Sequence, residues 1–337
     1  MAMFHSIDSR NSVGALRRPA GGIIHPFHRN RATRKMSKLP LIDTFSHRVH
    51  HRPCSSKPLP FVASLLTAGL LCLAGPAAAQ EAADDQPVYP KAVTTSGDSV
   101  FVVDLDLPGV WQLGDSRTLY AKGSNLLRKP MNRPHCLTPH PEGGLLVGDS
   151  ATREVYWIQS ADAEPKPLSG GRIGIPMALA VDPSGKVLYV GDAEKRATFR
   201  LPIEGGEPEL VARVNARGFA FDNEGRLLAV TPDKEAIRRI DLETEEVETI
   251  AERPNDNFFS NGICWAGDHG FVTDNYGNCI WKFTEDGKIE KWHEGEPLQR
   301  PVGIAISGDA LFVADPHPEV KQVFEFDLKT KESKPRL

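Results

Sequence analysis

The sequence predicts an all-β protein: a six-bladed β-propeller with four-stranded antiparallel blades, set behind an export leader. Three observations carry this prediction. A short apolar strand, in most cases ending on Asp, recurs six times at intervals of 40 to 45 residues, the period of propeller blades. Each copy follows a Gly-bearing turn and has further short apolar runs beside it, with the spacing of strands rather than helices. Charge is divided unevenly along the chain. Of 40 Lys+Arg, 11 fall in residues 1–60 against only Asp8 and Asp43, so residues 80–337 hold 29 basic and 42 acidic side chains, a net of −13.

The leader comes first. Residues 1–35 are rich in Arg and His and lack apolar periodicity, so they read as disordered or as lying upstream of a true start at Met36. Residues 36–79 read as a signal peptide: a basic stretch, the uncharged run 61–75, then Pro76-Ala77-Ala78-Ala79, with cleavage expected between Ala79 and Gln80. That run of 15 residues is shorter than the ~20 a membrane-spanning helix needs. The protein is therefore expected to be exported, to the periplasm or beyond the cell, with no membrane span once the leader is removed. A short linker, 80–87, leads into the propeller at 88–337. The acidic body excludes nucleic acid and anionic membranes as partners, because it repels phosphate instead of releasing counterions from it. A protein or small-molecule ligand and a monomeric state are the remaining expectations.

The repeat assigns each blade in turn. Second strands are read at 99–104, 145–149, 187–192, 227–232, 270–274 and 310–315. Asp182-Pro183-Ser184-Gly185 and Asp222-Asn223-Glu224-Gly225 precede two of them, each ending on a Gly able to take the left-handed conformation. Third strands follow, as in Val155-Tyr156-Trp157-Ile158 and Ile280-Trp281-Lys282-Phe283, and fourth strands are visible at 246–250 and 288–292. Asp104, Asp149, Asp192, Asp274 and Asp315 close five of the six second strands. A single functional site has no use for five copies, so these are read as structural, each capping the turn into the third strand. Ring closure stays open between two arrangements: residues 332–337 completing blade six alone, or 87–89 supplying its outer strand.

Segments such as Ile175-Pro176-Met177-Ala178-Leu179-Ala180-Val181-Asp182-Pro183-Ser184-Gly185, then Leu188-Tyr189-Val190-Gly191-Asp192, resemble the NHL-repeat and SMP-30/gluconolactonase-like propellers. Arg300-Pro301-Val302-Gly303-Ile304-Ala305-Ile306 matches the same opening, and the resemblance spans the whole chain after the leader. It implies the fold but selects no activity, since such relatives include scaffolds, lactonases and lyases.

Functional candidates are the residues that break the repeat. The inner-strand openings Pro134-His135, Pro176-Met177, Arg217-Gly218, Ser260-Asn261 and Pro301-Val302 would line the central tunnel. His135, Arg217 and Asn261 replace apolar residues there, and they would either converge into a concave ligand site or bond one another and tunnel water. Asn275 and Tyr276, with His317 in the next blade, fall on loops of one common face and complete the ligand-binding candidates. The resemblance also implies a divalent cation such as Ca²⁺ at the tunnel mouth, for which Asn261 in Phe259-Ser260-Asn261-Gly262-Ile263 is the carried-over ligand. The accompanying carboxylates do not carry over: Pro301-Val302-Gly303 has no Asp, and no Glu opens the first blade near Val88-Tyr89-Pro90-Lys91. No nucleophile elbow, metalloprotease helix or phosphate loop is present, so no catalytic residue is assigned and no cofactor follows from the residues alone. Cys136, Cys264 and Cys279 read as buried thiols. A Cys264–Cys279 disulfide is the alternative, disfavoured because first and third strands are not neighbours. The sequence thus points to an exported binding module, with a metal-dependent lactone hydrolase of altered site as the alternative.

Overall fold

The computed structural model describes residues 87–106 and 108–337. The segment 1–35, the signal peptide, its cleavage site at Ala79/Gln80 and the linker up to residue 86 lie outside the described residues. Those residues form six four-stranded antiparallel sheets in sequence order, spanning 90–122, 134–167, 176–212, 218–251, 263–294 and 303–335. No helix among them is long and apolar enough to cross a membrane.

Each sheet is a meander whose first strand faces the axis. The inner strands are Pro90–Ser96, Pro134–Pro139, Pro176–Val181, Gly218–Phe221, Ile263–Trp265 and Gly303–Ser307. Second strands are apolar on both sides, as in Val-Phe-Val-Val at 100–103, because each is sandwiched between neighbouring blades. The turns leading into them use the left-handed glycines the sequence offered, Gly185 at φ 72° and Gly225 at φ 75°. Outer strands are polar: Val247–Ala251 is mostly exposed, and Arg239 pairs across the hairpin with Glu248. Such charge on an edge discourages pairing with another chain.

The core is not central. It is divided into six apolar seams, each between adjacent blades. Close approach at a seam explains the small residue in two Val-Gly-Asp strand ends. A Cβ on Gly148 would lie 2.7 Å from Cys136 Sγ and 2.8 Å from Pro176 of the next blade. Blade six completes itself, with Ser333–Pro335 pairing on Gln322–Asp327. The ring therefore closes without a shared strand, by packing Val93, Val102 and Trp111 of blade one on Val302, Phe312 and Val323 of blade six. Thr95 Oγ1 adds a hydrogen bond to the Ile306 carbonyl across that seam, 3.1 Å.

Candidate functional site

The five repeated aspartates do more than cap a turn. Each is fully buried and accepts hydrogen bonds from two directions. Asp192 takes Glu194 N (2.9 Å) and Lys195 N (3.1 Å) from the turn after its strand, and Gly174 N (2.7 Å) and Ile175 N (3.1 Å) from the segment entering the inner strand. Asp149 likewise holds Arg133 N (2.9 Å), and Asp315 holds Gln299 N (2.7 Å) and Arg300 N (2.8 Å). The carboxylate is a latch that fixes the backbone a residue or two before the inner-strand opening. Blade four has Thr231 in this place. Its hydroxyl accepts from Asp233 N (3.1 Å) and donates to Glu235 O (2.9 Å), but it carries no charge.

What the latches position are the first residues of the inner strands. In blades one, two and three the register slips at this point. Pro90 pairs with Asp104 and Ala92 with Val103; Pro134 pairs with Asp149 and Cys136 with Gly148; Pro176 pairs with Asp192 and Ala178 with Gly191. Lys91, His135 and Met177 are left without a cross-strand partner. These are β-bulges, which re-aim a side chain out of the regular pleat. All three line a cavity of about 70 Å³ at the tunnel mouth, together with Arg217 and Asn261. By this measure a water needs ~10–15 Å³, so the cavity accommodates several.

His135, Arg217 and Asn261 are thus brought together at one place. Lys91 joins them, a residue the sequence analysis passed over, although Pro90-Lys91 repeats the opening of Pro134-His135 and Pro176-Met177. The opening at Val302 differs: this residue is buried in the seam between blades six and one and leaves the cavity to Gly303 and Ile304. Asn275, Tyr276 and His317 are on the same face but do not line the cavity. Asn275 is buried with its N–H on the Phe259 carbonyl, Tyr276 is exposed with its ring 5.5 Å from that of Phe259, and His317 N–H donates to Asp315 Oδ1 at 3.0 Å.

The electrostatics of the cavity are one-sided. Among the described residues no Asp or Glu lines it. Enclosure pulls the Lys91 ammonium from 10.5 down to about 8, with Arg217 pushing the same way. Enclosure also pulls His135 down to about 4, helped by Lys91, Arg133 and Arg217, so its imidazole is neutral at pH 7. Burial lowers Arg217 too, with Arg196 beside it; Asp233 opposes this but is itself paired to Arg196 at 2.9 Å. His135 Nε2 lies 3.0 Å from the Ser150 hydroxyl, while its Nδ1 has no partner among the described residues. Arg217 Nε is likewise buried without one.

A divalent cation does not fit here. Asn261 is the one neutral oxygen-bearing side chain among the polar groups of the mouth, and two cations stand in place of carboxylates. Among the described residues the group with the ligand types for a metal is Asp222, Glu224 and Glu285. Asp222 and Glu224 sit at the turn between the first two strands of blade four and Glu285 at the turn between the last two strands of blade five, at the other end of the inner strands. Arg226 already bridges all three carboxylates, at 2.7, 2.7 and 3.1 Å. The cysteines are free and buried, and burial pushes each thiol up to about 12, so none is a nucleophile at neutral pH.

No protein-family model matches the sequence, and no curated protein matches it. Solved structures do. Virginiamycin B lyase from Staphylococcus aureus superposes with a TM-score of 0.57 at 16% identity, covering 74% of this chain and 85% of its own. A gluconolactonase from Xanthomonas campestris gives 0.57 at 16%, covering 68% and 84%. The PQQ-bound aldose sugar dehydrogenase of Streptomyces coelicolor gives 0.54 at 14%, covering 73% and 92%. The shared feature is the six-bladed propeller fold. A lyase, a lactonase and a dehydrogenase on one scaffold show that the scaffold does not select the chemistry, so function has to be argued from the mouth itself.

Proposed function

We propose that the protein is an exported, monomeric binding module that uses the tunnel-mouth face to hold a small molecule. The observation that carries this reading is the convergence of Lys91, His135, Arg217 and Asn261 from four different blades on one cavity, with a buried nitrogen of His135 and one of Arg217 lacking a partner among the described residues. Buried polar groups are ordinarily satisfied, and a group left open in a concave site is available to a ligand. Tyr276 and the Leu126-Leu127 pair, exposed on loops of the same face, would widen the contact for a larger ligand or a protein. A calcium-dependent lactonase is the weaker reading, because the mouth repels a cation.

Melting curves test this. The protein is heated with a panel of charged and neutral small molecules and with Ca²⁺, Mg²⁺, Zn²⁺ and Mn²⁺, then again as His135→Ala and Asn261→Ala. At least one organic compound is expected to raise the midpoint by roughly 2 °C or more, with the shift lost in both variants. Shifts that survive both substitutions, or shifts given by a divalent cation alone, would refute the tunnel-mouth assignment.

A further inference from the structure

The tunnel mouth does more than provide open polar groups; it has a sign. The chain beyond residue 79 carries a net −13, yet the cavity at its axis is lined by Lys91 and Arg217 and, among the described residues, by no carboxylate. Two cations that feel each other in an enclosed space cost free energy unless something of opposite charge lies between them. Neither has a salt-bridge partner among the described residues.

The two cations come from different blades. In the five blades with Asp at the end of the second strand, a buried carboxylate sits just behind the inner-strand opening. In blade four, the blade that presents Arg217, this residue is Thr231, whose hydroxyl is neutral. In the segment before it Asn215 is buried with its Oδ1 unpartnered among the described residues. Asp233 is an acidic group whose charge acts on Arg217, but Arg196 is paired with it. Blade one adds Lys91, carried out of the pleat by the bulge it shares with blades two and three, so two blades deliver positive charge to the same 70 Å³.

We propose that this cavity is an anion site, taking the carboxylate or phosphate head of a small organic ligand between Lys91 and Arg217. Asn261 contributes its amide N–H to the same head, and Arg217 supplies the planar fork that suits two oxygens of one oxyanion. His135 Nε2 is 3.0 Å from the Ser150 hydroxyl, and its Nδ1, without a partner among the described residues, is a further polar atom at the wall. The size of the cavity admits the charged head alone. The rest of the ligand would lie outside, on the face that carries Tyr276 and Phe259.

This inference rests on the tunnel-mouth reading and is tested separately from it. The purified protein is titrated calorimetrically at pH 6.5 and low salt with inorganic phosphate and, in a parallel arm, with malonate. Binding of either is expected, and the arm that responds assigns the head group. Lys91→Met and Arg217→Gln should each weaken it at least tenfold, while Lys186→Gln, an exposed cation on a turn at the opposite end of the blades, should change it less than twofold. Circular dichroism and melting curves confirm that each variant is folded, and Lys91→Met is expected to be the more stable protein, so a fall in binding there is not a fall in folding. Absence of binding in both arms, or equal loss in all three variants, overturns the anion site. If in addition a neutral compound binds in a manner that His135→Ala abolishes and Lys91→Met does not, the tunnel-mouth reading stands and only the anion assignment fails.

Discussion

Replacing Lys91 by Met should stabilise the protein. Methionine keeps most of the aliphatic length of lysine and removes the ammonium from a cavity already holding Arg217. The displacement of Lys91 from 10.5 to about 8 corresponds to roughly 3 kcal/mol at ~1.4 kcal/mol per pH unit. Lys91 is half-buried and its cavity has room for screening water, so about 1–3 kcal/mol is the fair expectation. The sign follows from proton counting. At pH 7 the amine is charged in both folded and unfolded chains, and the folded state bears the full cost. Between about 8 and 10.5 the unfolded chain binds the extra proton, so wild-type stability rises with pH and the advantage of the variant fades. For a domain of this size ~2 °C accompanies each kcal/mol, so the melting midpoint at pH 7 should rise by roughly 2–6 °C. The assay is paired thermal and urea denaturation of wild type and Lys91→Met at pH 7 and pH 10.5. A variant no more stable than wild type at pH 7, or a gain that persists undiminished at pH 10.5, would refute the account of an uncompensated cation.

Two further outcomes bear on how the mouth is built. Asp192→Ala removes an acceptor from four backbone N–H groups and should lower stability by about 3 kcal/mol or more, at ~1–3 kcal/mol per buried donor left unmet; urea denaturation checks this, and a loss under ~1 kcal/mol would mean the latch is dispensable. Gly148→Ala places a methyl group 2.7 Å from Cys136 Sγ and should cost ~1–3 kcal/mol by overpacking the seam between blades two and three, measured in the same way, whereas Gly143→Ala, with open space around its Cβ position, would report only the strain of its φ of 99°.

The fold was legible because it is written six times. A strand end such as Val-Gly-Asp is a weak signal alone, but its recurrence at near-constant spacing fixes both the period and the number of blades. The same redundancy separated structure from function at Asp149 and Asp192, whose buried carboxylates turn out to tie the inner-strand entry as well as the turn. The second half of that role was not legible, since the donors lie 15 to 18 residues upstream and nothing in the local sequence marks them. Closure was open for a similar reason. Short terminal runs such as 333–335 and 87–89 look alike as edge strands, and only the pairing of Ser333 with Phe326 decides between them.

The site was legible in part, and what was missed shows what a repeat can and cannot reveal. His135, Arg217 and Asn261 stood out as polar residues at apolar positions. Lys91 occupies the equivalent position after Pro90, but it was read against the expected Glu of a metal site and set aside once that Glu was absent. Compared instead with Pro134-His135 and Pro176-Met177, it is the fourth polar member of the ring. Its side chain reaches the mouth because the bulge between Pro90 and Ala92 takes it out of the pleat, which an alternating pattern of buried and exposed residues does not encode. Asn275, Tyr276 and His317 show the converse. Loops of one face share a surface without sharing a cavity, because only the inner strands approach the axis closely enough for their side chains to meet. The charge of the mouth follows from two residues at inner-strand openings, Arg217 in blade four and Lys91, bulged out of the pleat in blade one. Either alone would be a tolerable irregularity at a wet axis. Together they place two cations where a metal-binding propeller would need carboxylates, and the ligand of this ring is to be sought among anions.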